Sequence, residues 1–146
     1  MSSVAPLLPG AGVLDLFAGS GALGIEALSR GATHATFVEN ASAALRVLQQ
    51  NLDALRVPSE RVQIVRSDAI RFAQGLAPHT FHVAFADPPY ETQDATRLAQ
   101  LFRVRPFAGL LCIEHSRAQP IPAASDLRER RYGDTLLSFL SAQDDG

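Results

Sequence analysis

The sequence has no lysine, no tryptophan, one cysteine and one methionine. A lone Cys112 excludes an internal disulfide and a cysteine-built zinc site. No apolar run approaches the roughly 18–20 residues that span a bilayer. No basic stretch precedes the Leu7-Leu8 pair, so a secretory leader is not expected. The expected location is the cytoplasm, with no membrane partner. Because lysine is missing, all 13 positive residues are arginine. Arginine suits phosphate and base contacts, yet GC-rich codons produce the same bias. A net charge of -2 carries no polyanion-binding footprint. What is present, 146 residues with 47% hydrophobic and 19% charged side chains, makes one domain with a real core over 1–146.

Hydrophobic patterning predicts strands at 13–17, 35–39, 62–66, 81–86 and 109–114, then a hairpin of 127–132 and 135–140 turning at Gly133-Asp134. Helices are predicted at 21–30, stopped by Gly31, at 41–54, at a short stretch from Asp68-Ala69 to Gly75, and at 94–102. Leu45, Leu48, Leu52 and Leu55 recur at helical spacing and read as core. The tail from Gln143 is expected to fray. Strand–helix alternation followed by a hairpin implies an α/β, Rossmann-like fold. It has a mostly parallel seven-stranded sheet, a C-terminal antiparallel hairpin and helices on both faces. The loops after the first four strands then share one edge. They carry Asp15, Phe17, Ala18, Gly19 and Gly21, then Glu39 and Asn40, then Asp68 and Ala69, and last Asp87, Pro88, Pro89 and Tyr90.

Gly19, Gly21 and Gly24 spell G-x-G-x-x-G, with Glu39 about 20 residues on, as in a dinucleotide-binding turn. Asp15 argues against a dinucleotide, because a carboxylate under the turn repels a diphosphate. S-adenosylmethionine reverses the sign: it carries a sulfonium and an ammonium and no phosphate. Asp15 would pair with the amino group, Glu39 with the ribose hydroxyls, and Asp68 with the adenine amino group. Asp15 could instead bond backbone amides of the turn, and Asp68 could simply cap the next helix.

The decisive stretch is Asp87-Pro88-Pro89-Tyr90 after the buried fourth strand. An exocyclic amino nitrogen is a poor nucleophile, and chemistry on it needs acceptors that hold both N–H hydrogens and aim the lone pair. Asp87 and the Pro88 carbonyl supply them, since proline fixes the backbone and offers no competing N–H. Tyr90 can stack on a base turned out into the pocket. A purely structural Asp-Pro-Pro turn is the alternative. His34, His79, His82 and His115 lack metal-ligand spacing, and the sulfonium already supplies a leaving group, so no metal is expected. His115, at a strand end, reads as solvated or hydrogen-bonded. Arg128, Arg130 and Arg131 with Tyr132 could contact phosphate or could guard an edge strand.

Together these residues resemble the class I S-adenosylmethionine-dependent methyltransferases and, more narrowly, the RsmD-like family. The resemblance is carried by VLDLFAGSGALGIEALSRG at 13–31, Phe37 to Asn40, Asp68, Asp87 to Tyr90, and Tyr132 to Thr135. It implies N2-methylation of a guanine in 16S ribosomal RNA within a small-subunit particle, by a monomer. It also implies that Asp15, Gly19, Gly21, Glu39, Asn40 and Asp68 line the cofactor pocket, while Asp87, Pro88 and Tyr90 hold the guanine. Family members carry an upstream segment with a basic hairpin and a helix over the cofactor. Here the first strand follows Met1 closely, so that segment is expected to be missing. Other readings stay open: a DNA adenine-N6 or protein glutamine-N5 methyltransferase, a cofactor-binding remnant without turnover, or an NAD-dependent oxidoreductase. The glutamine enzymes usually place Asn where Asp87 stands.

Overall fold

A computed structural model of the chain describes residues 3–142. The tail from Gln143, expected to fray, lies outside the described residues. The strands are β1 (Gly12–Leu16), β2 (His34–Glu39), β3 (Val62–Arg66), β4 (Phe81–Ala86), β5 (Ala108–Ser116), β6 (Leu127–Tyr132) and β7 (Thr135–Ser141). The helices are α1 (Ala22–Ser29), α2 (Ser42–Ala54), α3 (Ala69–Gln74) and α4 (Asp94–Val104). No helix among the described residues is long and apolar enough to cross a membrane.

The seven strands form one sheet in the order β3-β2-β1-β4-β5-β7-β6. β3, β2, β1, β4 and β5 are parallel, whereas β7 runs antiparallel between β5 and β6. This is the expected α/β, Rossmann-like sheet, mostly parallel and closed at one edge by an antiparallel hairpin. Winding reverses between β1 and β4, and the crevice opens beyond their C-terminal ends.

Side-chain alternation along β1 sorts the two cores. Leu14 and Leu16 face one layer, where Ile70 of α3 and Leu98 and Phe102 of α4 pack with Leu111, Ile113 and Leu140. Phe102 meets Phe107 edge to face, with ring centroids 5.4 Å apart. Val13 faces the other layer, with Phe37, Phe85, Leu28 of α1, and Leu48 and Leu52 of α2. The same alternation turns Asp15 toward α1.

Two expectations are corrected. Leu55 is not core: α2 ends at Ala54, so the next residue leaves the apolar stripe and is 62% exposed. The first strand ends at Leu16, because Phe17 adopts a left-handed φ of 57°. Gly133 takes φ 61° in the two-residue loop that joins Tyr132 to Thr135, which suits a tight hairpin.

Candidate active site

Register builds the cleft. Leu16 pairs with Val38 on one side and Ala86 on the other. The residues that next leave the sheet, Phe17, Glu39 and Asp87, therefore emerge together. With Pro88, Pro89 and Tyr90 they line a cleft of about 360 Å³. Phe17, in a backbone region that bulky residues rarely occupy, turns the chain off β1. The Ala18 amide then donates to the Val38 carbonyl at 3.0 Å.

Carboxylates hold the glycine turn. Asp15 is 2% exposed, and its Oδ2 accepts from the Gly24 amide at 3.0 Å. Burial pushes its carboxyl up to about 7; the Gly24 N–H opposes this, and the negative charges of Asp87 and Glu39 add to it. Glu39 accepts from the Gly19 amide at 2.8 Å through one oxygen, and from the Asn40 and Ala41 amides, each at 2.9 Å, through the other. Of the two readings open for Asp15, the structure contains the backbone bond. Two amides of the turn, those of Gly19 and Gly24, are thus occupied by carboxylates. Three acids, Asp15, Glu39 and Asp87, gather around one crevice. Glu39 alone would suit a dinucleotide's ribose as well, but Asp15 and Asp87 beside it favour a ligand that carries positive charge.

The turn's glycines have separate reasons. Nothing lies within 4 Å of where a Gly19 side chain would begin, so its outer side is open. Gly21 caps α1 at a φ of 83°. Gly24 lets α1 settle on β2, since a Cβ there would stand 2.3 Å from Phe37 Cε1.

Asp68 and Ala69 lie outside the set lining the cleft. Asp68 caps α3, accepting from the Arg71 amide at 2.9 Å, and Ala69 is buried. Their loop stays tied to the site, because the Ser67 amide donates to the Glu39 carbonyl at 3.3 Å. Asn40 is exposed beside Glu39.

The Asp87–Tyr90 loop is more open. Asp87 is exposed and Pro88 buried. Partial burial, then the charge of Glu114 on β5, holds the Asp87 carboxyl above its ordinary range. Tyr90 is 49% exposed; its hydroxyl lies 3.2 Å from Thr135 Oγ1, and its carbonyl accepts from the Gln119 side chain. Glu114 and Gln119 carry no local motif; only strand order brings them here. His115 is buried and hydrogen-bonded rather than solvated. A groove of about 600 Å³ lies at the opposite end of β4, lined by Val4, Leu7, His82, Leu110, Arg128 and Phe139, away from all of these loops.

Residues 2–141 match the family described as "Conserved hypothetical protein 95". The chain is 37% identical over 145 residues to the "Putative rRNA methyltransferase YlbH" of Bacillus subtilis, covering 93% of this chain and 78% of that protein. It is 47% identical over 88 residues to the "Ribosomal RNA small subunit methyltransferase D" of Escherichia coli strain K12, covering 60% of this chain and 42% of that enzyme. The solved structure of the "Putative methyltransferase yhhF from Escherichia coli" superposes with a TM-score of 0.80 at 32% identity, over 97% of this chain and 82% of that one.

Proposed function

The chain belongs to the family described as conserved hypothetical protein 95, the RsmD-like methyltransferases, and from that premise we propose that it methylates the N2 nitrogen of a guanine in 16S ribosomal RNA. The methyl donor in this reading is S-adenosylmethionine, and residues 1–146 form one catalytic domain. The observation that carries it is the occupation of the Gly19 and Gly24 amides by Glu39 and Asp15, directly beside Asp87–Tyr90. Those bonds set two negative charges against the turn, where a diphosphate would be repelled and a cation favoured.

S-adenosylmethionine supplies an electrophilic methyl group on a sulfonium. Asp15 would lend negative charge beneath the donor's amino group, and Glu39 would offer the one acceptor site left on Oε1 to a ribose hydroxyl. Gly19, Gly21, Phe17, Ala18 and Asn40 shape the wall, while Asp68 and Ala69 approach from the next loop. Asp87 and the Pro88 carbonyl each accept one N–H of the target amino group, aiming its lone pair. Pro89 stiffens the loop, and Tyr90 stacks on the extruded base. The surplus proton leaves the nitrogen past Asp87, whose affinity for protons is raised by burial and Glu114. Catalysis here is mainly orientation and exclusion of water. The partner is the small-subunit particle, met by a monomer, and the site needs no metal.

Calorimetry with S-adenosylmethionine and with NAD tests the donor; preferential NAD binding overturns the reading. Radiolabelled methyl transfer to undermethylated small subunits, naked 16S RNA, transfer RNA and DNA tests the target. Label on N2 of one guanine in the subunit supports the proposal, and label on adenine N6 replaces it.

A further inference from the structure

We propose that His115 and Gln119 are positioning residues for the target base, acting through the backbone of Tyr90. This rests on the function proposed above. His115 is 1% exposed, on β5, and no step of the chemistry uses it. Its Nδ1 lies 2.9 Å from the Gln119 carbonyl and 3.2 Å from the Ser116 carbonyl. Carbonyls only accept, so Nδ1 carries the proton. Nε2 then accepts from the Ser138 hydroxyl on β7, at 2.6 Å, inside the core. The ring is thus pinned from both ends.

What the ring pins is a tight turn. The Gln119 amide donates to the Ser116 carbonyl at 3.0 Å, and the Ala118 amide donates to Ser116 Oγ at 3.1 Å. From that turn the Gln119 side-chain amide reaches back and donates to the Tyr90 carbonyl. Tyr90 is held at its other end by Thr135, the first residue of β7. The loop after β4 has anchors of its own at Pro88, which is buried, and at the Pro89 carbonyl, which accepts from the Thr92 hydroxyl at 3.0 Å, but Tyr90 itself is exposed and gains its ties from elsewhere. Its position is set from β5 and β7, with His115 as the buried end of the tether. A displaced Tyr90 misplaces the base relative to Asp87, and a shift of about 1 Å is enough to lower the rate strongly.

The test separates positioning from folding and from the identity of the substrate. The chain has two tyrosines and no tryptophan, so Tyr132→Phe leaves Tyr90 as the sole emitter. In that background, Gln119→Met, which keeps length but removes the amide, is expected to raise acrylamide quenching of Tyr90 by about half, toward the limit of roughly twofold that its 49% exposure allows. In the otherwise native protein, Gln119→Met is expected to lower kcat for RNA about tenfold. Its S-adenosylmethionine affinity and melting temperature stay unchanged. His115→Asn, which keeps a donor toward the Gln119 carbonyl, is expected to retain more than half of the rate, and His115→Leu to match Gln119→Met in kcat and quenching while lowering the melting temperature, because it strands the buried Ser138 hydroxyl. Unchanged quenching overturns the proposal, as does equal loss of cofactor affinity. Should the native chain transfer no methyl to RNA, the function proposed above fails, and the quenching result alone still decides the tether.

Discussion

Two loops leave adjacent strands at the same edge of the sheet, and they are held in opposite ways. The glycine turn after β1 is fastened inward, by Asp15 on Gly24, by Glu39 on Gly19, and by close packing of Gly24 on Phe37. Its anchors come from β1, from α1, from the end of β2 and from α2, whose Asn51 side chain donates to the Ser20 carbonyl at 2.9 Å. The Asp87–Tyr90 loop after β4 lies open to solvent and is tied by side chains 29 and 45 positions later, Gln119 and Thr135. A turn whose backbone amides are already held by Asp15 and Glu39 is formed before any ligand arrives. A loop held at its surface by a few single side-chain contacts can be adjusted by a large partner without disturbing the core. The pairing suits a reaction in which a small donor binds a rigid seat and a bulky acceptor is adjusted to it.

If that contrast is right, damage to the open loop removes turnover and leaves the fold intact. Asp87→Ala is expected to lower single-turnover methyl transfer by two orders of magnitude or more, about 3 kcal/mol of transition-state stabilisation. Melting temperature and S-adenosylmethionine affinity should stay near those of the native protein. Transfer retained above one tenth removes Asp87 from the chemistry. Damage to the closed turn does the reverse. Gly24→Ala drives a methyl group against the ring of Phe37, at 2.3 Å from Cε1. Overpacking of this kind costs roughly 1–3 kcal/mol, only partly offset by alanine's better helix propensity of about 1 kcal/mol. Urea unfolding measures it, and an unchanged midpoint means α1 yields more easily than its packing implies.

The same contrast explains what could be read from the chain alone. Strands β3, β4 and β6 have the predicted bounds, because apolar alternation and the flanking Pro58 and Gly133 are local signals. The co-location of Phe17, Glu39 and Asp87 was also legible, since it follows from parallel winding and register. The bonding of Asp15 was not resolved by sequence. A carboxylate at that position serves equally to cap an amide or to meet a ligand, and only the facing of β1 toward α1 shows the bond to Gly24. Gln119 and Glu114 were invisible as site residues. Their approach depends on β7 entering beside β5, a pairing that no short motif encodes. Leu55 misled because a helical repeat continues past the residue at which the helix stops.

Protonation sharpens the comparison at the closed turn. Asp15 titrates near 3.8 when unfolded and at about 7 when folded. Between those values the folded chain binds more protons than the unfolded one. Stability therefore falls as pH rises from about 4 to about 7, by up to roughly 1.4 kcal/mol per unit, and is flat above. A cationic ligand favours the ionised carboxylate, so its affinity rises with pH over the same window and levels off above 7, with proton release below. Asp15→Asn is expected to make the protein more stable than native at pH 8 while weakening S-adenosylmethionine about tenfold and flattening its pH profile. Calorimetry in buffers of different ionisation enthalpy reads the proton directly. An Asn variant that binds with the native pH profile shows that Asp15 serves only Gly24.

The smallest expected effect concerns how the open side meets RNA. Arg128 and Arg130 lie opposite Phe139 and Leu137 in the β6–β7 register, so both project from one face of the edge strand, with Tyr132 beyond them opposite Thr135. Thr135 holds Tyr90, so this row leads toward the cleft. Both arginines are exposed and form no ion pair among the described residues, unlike Arg103, which grips Asp126 with two nitrogens at 3.0 Å. Guanidinium groups left uncommitted along such a row suit phosphates of the strand carrying the target base. Arg128→Ala and Arg130→Ala are each expected to weaken RNA binding only a few-fold at moderate salt. Each should also reduce the slope of log affinity against log salt by about 0.7, the share of one single-strand phosphate contact. Edge-strand arginines that merely deter sheet-to-sheet association predict the opposite pattern: an unchanged slope, and light scattering that grows with protein concentration in the double variant. Measuring both quantities on the same variants separates a phosphate track from a guard, and so decides whether the open loop is served by the edge next to it.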